Sequence, residues 1–208
     1  MKNYLSPTAE TYVEGLQKAF DHFNEKLFEN RLPPVLFTLT RKARANGYFH
    51  AEQFQHRHDG APTDEIALNP NTMDRDIRSI LSTLVHEMTH LEQQHYGKPG
   101  KGAFHNKEWA SLMLRIGLTP DNGQGGTTGN KVTHSIDEGG PFDVAFGELG
   151  PDFDIPYFTQ PRPPVEKKKD TSKVKTTCPC CNAKAWAKLG ARLVCGDCDE
   201  AMLQEDEA

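Results

Sequence analysis

Apolar side chains recur at helical spacing near the start of the chain. Tyr12, Val13, Leu16, Ala19, Phe20, Phe23 and Leu27 fall on one side of a 3.6-residue repeat. Ser6 before Pro7 supplies an N-cap followed by proline at the first helical position. A long first helix is predicted, ending near Asn30. Leu32-Pro33-Pro34 follows, and proline both lacks an amide donor and restrains its predecessor. Three short β-like runs come next, Val35 to Thr40, Gly47 to Glu52 and Glu65 to Asn69, enough for a small sheet. From Asp74 the repeat is helical again. Ile77, Ile80, Leu81, Leu84, Val85, Met88 and Leu91 make a broad apolar face, and Gly97 and Pro99 stop it. A further helical pattern starts near Asn106 and runs through Trp109, Leu112, Met113 and Ile116 to Gly117, with Pro120 just beyond. Residues 1–120 therefore read as one α+β domain: helix, small three-stranded sheet, helix, helix.

Beyond this the periodicity fades. Residues 121–160 are rich in Gly, Pro and Asp, and read as an irregular extension with one strand near Val132 to Ile136. Residues 161–175, with Pro161, Pro163, Pro164 and three consecutive lysines, read as a basic linker. Residues 176–203 form a small separate unit. No stretch is long and apolar enough for a membrane span, and the first residues carry one lysine but no apolar signal region. The expectation is a cytoplasmic protein with no membrane partner. With 25% charged and 36% hydrophobic residues, the composition excludes wholesale disorder.

Charge changes the picture only through its distribution. Residues 1–120 balance 14 basic against 14 acidic residues, whereas Arg162 to Arg192 holds 9 basic and 2 acidic, a local excess of +7 within a chain of net charge −5. Such a segment either holds a polyanion such as DNA or is a solvated linker.

Two constellations carry candidate chemistry. His86-Glu87-Met88-Thr89-His90 lies within the second predicted helix. Residues four apart on a helix project roughly 40° apart, at ~100° per residue, so both imidazoles can reach one metal ion while Glu87 lies beside them. A catalytic zinc takes three protein ligands and keeps a fourth position for water. His105 stands just before the next helix, where a helical hairpin carries it back, and is the best third ligand; Glu108 is the alternative. Neutral imidazoles suit zinc better than magnesium or calcium. His95, about 140° from His90, faces away, and His56 and His58 read as part of a polar loop. His50 and His134 carry no assignment.

All five cysteines lie between Cys178 and Cys198. Cys178, Cys181, Cys195 and Cys198 form two C-x-x-C knuckles able to close a tetrahedral structural zinc site, with Cys180 spare. A redox pair is the rival reading, but no thioredoxin-like βαβ pattern surrounds these cysteines. Two zinc ions are thus expected, one catalytic and one structural.

The residues now assembled resemble a SprT-like, Spartan-type zinc metalloprotease domain from about Tyr12 to Leu118. The resemblance rests on Phe23-Asn24-Glu25-Lys26-Leu27-Phe28 with Leu32-Pro33, Gly47-Tyr48-Phe49, Ile66-Ala67-Leu68-Asn69, His86 to His90, and His105 with Trp109. It implies a compact zincin-like core, ligands at His86, His90 and His105, a catalytic Glu87, and a C-terminal zinc ribbon like that of many bacterial and phage members. Asn106 departs from the glycine common after the third histidine. The leading expectation is a zinc-dependent metalloendopeptidase cleaving protein substrates, DNA-associated or DNA-crosslinked proteins among them, with DNA held by the linker and ribbon. The alternatives are a non-catalytic, zinc-containing DNA-associated regulator and an amidase of small substrates. A scaffold has no use for a base at Glu87, which discriminates between catalyst and regulator.

Overall fold

Helix α1, Ala9–Leu27, is amphipathic in the way its sequence demands. Leu16, Ala19, Phe20, Phe23 and Leu27 are buried, while Val13 stays exposed. The chain then reverses through Glu29 and Asn30, both at positive φ. The Asn24 amide clamps this reversal by bonding the backbone N–H and carbonyl of Leu32 at 3.1 and 3.2 Å. The computed structural model describes residues 9–102, 104–156, 158–159 and 173–204, with side chains from residue 13 onward. The Ser6-Pro7 cap, the Tyr12 side chain and the linker through residue 172 lie outside them. The chain forms two units, residues 1–161 and 162–208.

In the first unit, β1 (Val35–Leu39), β2 (Gly47–Gln55) and β3 (Pro62–Leu68) form a mixed sheet of order β1-β3-β2. β3 pairs parallel with β1 and antiparallel with β2. A bulge between His50 and Phe54 bends β2, where Glu52 takes positive φ and its N–H donates to Asp64 Oδ1 at 2.8 Å. The central strand buries Ile66, Ala67 and Leu68.

Against this sheet lies α2, Ile77–Tyr96, capped by Asp76, which accepts from Ser79 N–H at 2.9 Å, and ended at Gly97. It is buried nearly all round. Its buried polar residues are accordingly paired: Glu92 accepts from Arg31 and Arg115, and Gln93 donates to Glu108 Oε2 at 2.7 Å and Asn106 Oδ1 at 2.8 Å. Helix α3, Lys107–Arg115, starts at the Asn106 cap, which accepts from Trp109 N–H at 2.9 Å. Among the described residues, no helix is long and apolar enough to cross a membrane.

The region after residue 120 is more ordered than the sequence reading expects. β4 (Leu118–Asp121) and β5 (Thr133–Ile136) pair antiparallel, and α4 (Pro141–Glu148) follows. Phe142 and Ala145 of α4, with Val132 and Ile155, belong to the same core as α1 and α2, and Phe142 stacks on Phe23 at 5.4 Å. The glycines and Pro141 that suggest a loop instead punctuate a short helix, Gly140 at its N-cap and Pro141 at N1. Gly117, at φ +78°, makes the turn into β4; a Cβ there would meet Pro141 Cδ at 2.9 Å.

The second unit is a three-stranded antiparallel sheet of β6 (Val174–Thr177), β7 (Lys184–Ala187) and β8 (Leu203–Gln204), in the order β7-β6-β8.

Candidate metal centre

Among the described residues, two groups are placed to hold a metal ion, and they are the two constellations of the sequence. His86 and His90 lie one turn apart on α2, and His105 reaches them from the loop before α3. Candidate ligand atoms of the three histidines all lie within 4.8 Å of one another. Trp109, fully buried one turn into α3, packs against all three rings with centroids at 4.8, 5.1 and 4.3 Å from His86, His90 and His105.

The donor set suits a borderline cation. Burial pushes all three imidazoles below their ordinary range, His90 to about 3, so they stay neutral and offer lone pairs. His105 is oriented by Gly129, whose carbonyl accepts from its Nδ1 at 3.0 Å while the two backbones exchange hydrogen bonds at 2.9 and 3.0 Å. That leaves Nε2 of His105 for a ligand.

Glu87 points elsewhere. It is 5% exposed and lies beside the start of β2, where Gly47 leaves room for it: a Cβ at Gly47 would fall 3.2 Å from Glu87 Oε1 and 2.8 Å from the Ala67 carbonyl. Burial lifts its carboxyl to about 8, against the opposing hydrogen bond from Phe49 N–H and the charge of Lys42.

Glu108 does not join the cluster, since Lys98 N–H and Gln93 Nε2 each donate to its Oε2 at 2.7 Å. Asn106 caps α3 and donates through Nδ2 to the Lys98 carbonyl at 2.8 Å, so it braces the loop ahead of His105. His95 is bound to Asp64 at 2.6 Å, and His56 to Asp59 at 2.7 Å in its loop. His50 lies on β2, its Nδ1 3.1 Å from the Ala51 carbonyl.

One histidine left unassigned from sequence arrives at the site. His134 of β5 places Nδ1 3.2 Å from His86 Nδ1 and Nε2 3.0 Å from Ser82 Oγ. Burial holds it neutral, with its pKa down to about 4. The strand alternation that puts His134 on the same side as the half-buried Ile136 is the one signal that could have found it.

In the second unit, Cys178, Cys181, Cys195 and Cys198 bring their sulfurs within 4.8 Å of one another, and Cys180 stands outside the group and exposed. The 3.6 Å between the Cys181 and Cys195 sulfurs is close to the ~3.8 Å edge of a tetrahedron with metal–sulfur bonds of ~2.3 Å. The two knuckles are built alike. Cys178 N–H donates to Ala183 O at 2.9 Å and Cys195 N–H to Glu200 O at 2.8 Å; Asn182 and Asp199 return bonds to the cysteine carbonyls at 3.0 and 2.9 Å, both at positive φ.

Comparison with known proteins agrees with these features. The chain is 55% identical over 60 residues, 29% of its own length and 80% of the relative's, to a Salmonella typhimurium protein described as an uncharacterized protein in the mucB 3' region. No solved structure matches it. The SprT-like family model matches residues 16–134, which span the first sheet, the three histidines, Glu87 and β4 and end at His134 within β5. The chain belongs to the SprT-like family.

Proposed function

We propose that the chain is a zinc-dependent metalloendopeptidase with a zincin-like core, in which His86, His90 and His105 hold the ion and Glu87 moves the proton. The observation that carries this reading is Glu87. It adjoins the histidine cluster on the same helix, yet its carboxyl is turned to Gly47 and the Phe49 N–H instead of joining the ligand group. Zinc in this setting supplies a water of lowered pKa and polarises a substrate carbonyl. With a dication nearby, the buried Glu87 carboxyl ionises at lower pH, so it can accept a proton at one oxygen and pass it to the leaving amine. The remaining histidine-cluster residues hold geometry: Trp109 and the Gly129 carbonyl fix the rings, and burial keeps competing protons off them. Glu87→Gln keeps the volume and loses the base. The expected result is zinc retained and hydrolysis of an unfolded protein substrate slowed by roughly 10²-fold or more. Near-full activity with zinc bound would exclude Glu87 as the base, whereas a zinc-loaded parent that hydrolyses nothing would favour a regulator in which both ions are architectural.

The four-cysteine group is the proposed structural zinc site, and the second unit is the proposed contact for DNA. Directly opposed residues on paired strands share a face, so Lys175, Thr177, Lys184, Trp186 and Leu203 lie on one side of the small sheet. Trp186 is 64% exposed there, and Lys188 and Arg192 follow in the next loop. An exposed aromatic among cations suits phosphates and unstacked bases. This supports DNA-associated proteins as the substrate class. Deleting residues 162–208 should abolish a steeply salt-dependent affinity for DNA; unchanged affinity at low salt would refute the contact.

A further inference from the structure

The β4–β5 pair supplies outer partners to two of the three clustered histidines, and only one of these partners is a side chain. Gly129, in the loop between the strands, gives its carbonyl to His105 Nδ1. His134, on β5, meets His86. The proton positions along this second contact follow from what each group can do. Ser82 Oγ donates to the Ser79 carbonyl at 3.0 Å, one turn back on α2, so toward His134 it is an acceptor. His134 Nε2, 3.0 Å away, therefore carries the hydrogen. A neutral imidazole has one N–H, so His134 Nδ1 is the acceptor, and the partner at 3.2 Å, His86 Nδ1, donates to it. His86 is left with its lone pair on Nε2.

We propose that His134 is a positioning residue. Through the chain Ser79 carbonyl, Ser82 hydroxyl, His134 and His86 it selects the His86 tautomer and holds the ring so that Nε2 addresses the metal. The inference rests on His86 being a ligand, and it makes the strand pair after α3 part of the metal site although no ligand lies on it. A histidine without such a partner samples both tautomers and rotates about its ring bond, so less of it is ready to bind. Outer-sphere partners of this kind are typically worth 10–100-fold in metal affinity.

The test uses the full chain. Zinc affinity of the histidine site is measured by chelator competition, with cobalt as a second probe because its absorption reports the number and type of ligands. The four-cysteine site is separated by its thiolate-to-cobalt charge-transfer band. His134→Phe keeps a flat ring without an acceptor, and His134→Asn places an amide oxygen near the position of Nδ1. The expected result is a loss of about 10–100-fold in zinc affinity for His134→Phe, recovered in large part by His134→Asn. The cobalt ligand count stays unchanged and the metal-free melting temperature of neither variant falls. Affinity within twofold of the parent for His134→Phe, or an equal loss in both variants, would overturn the proposal. So would one nitrogen fewer in the cobalt spectrum of His134→Phe, which would make His134 a ligand. His90→Ala is the control: if it leaves zinc at this site undisturbed, the ligand reading itself fails, independently of His134.

Discussion

Glu87 is shaped by burial more than by its charged neighbours, and that has a measurable consequence for the metal-free protein. Its folded pKa, about 8, lies above the ordinary carboxyl value of 4.5. The folded chain therefore keeps a proton that the unfolded chain gives up. The stability tied to this group is fully present below about pH 4.5 and is lost as pH rises through about 8. Glutamine carries no such dependence. Metal-free Glu87→Gln is expected to melt above the parent at pH 8, with the difference shrinking towards pH 4.5, as calorimetry across pH would show. Gly47 is tied to the same carboxyl. On the proposed mechanism, Gly47→Ala is expected to retain zinc but to lose about 10-fold or more in hydrolysis, since the new methyl would displace the Glu87 carboxyl. At this scale the sequence is legible where function is local. His86, Glu87 and His90 share one helix turn and a spacing with a single geometric meaning, and His105 needs only the return of the next helix. His134 lies 48 residues from the histidine it touches, and only the pairing of β5 with β4 brings it there.

Elements were readable in proportion to the length of their periodic signal. α1, α2 and α3 each present apolar residues over at least two turns, and the three strands of the first sheet fall where the β-like runs do. β4 and α4 leave no clear periodic signal because they are short and framed or interrupted by glycine and proline. Phe142, Ala145, Phe146 and Leu149 hold helical spacing, but eight residues between turn signals are too few to separate a helix from a loop by pattern. The junction ahead of α3 allows a prediction. Asn106 caps the helix with its oxygen and binds the Lys98 carbonyl with its nitrogen. Asn106→Ala is expected to cost about 1–2 kcal/mol in urea unfolding. Asn106→Asp keeps the cap but not the loop bond and should recover most of that loss; equal destabilisation of both variants would show that the loop bond, not the cap, carries the energy.

The two units differ most in what holds them together. The first has a continuous core from Leu16 to Ile155, while in the second the buried residues among those described are Thr176, Cys178 and Cys195. So little apolar burial cannot offset the entropy of ordering the chain, and the metal proposed between the knuckles would supply the difference. Two zinc equivalents per chain are expected. Cys178→Ser with Cys181→Ser should remove one of them and abolish amide-exchange protection in β6 and β7. The helical circular dichroism, which arises among the described residues from the first unit alone, should stay unchanged. Retained protection in the second unit would show that it folds without metal.

The packing of Trp109 has an optical consequence. The chain has two tryptophans, one sealed among the three clustered histidine rings and one mostly open to solvent. Their emission therefore separates by colour, blue from Trp109 and red from Trp186. Any ion entering the histidine cluster arrives within a few ångströms of the blue emitter, where cobalt or copper would quench it; the red component comes from the second unit, which holds Trp186. The protein thus carries one built-in emitter in each unit, readable without label or substrate.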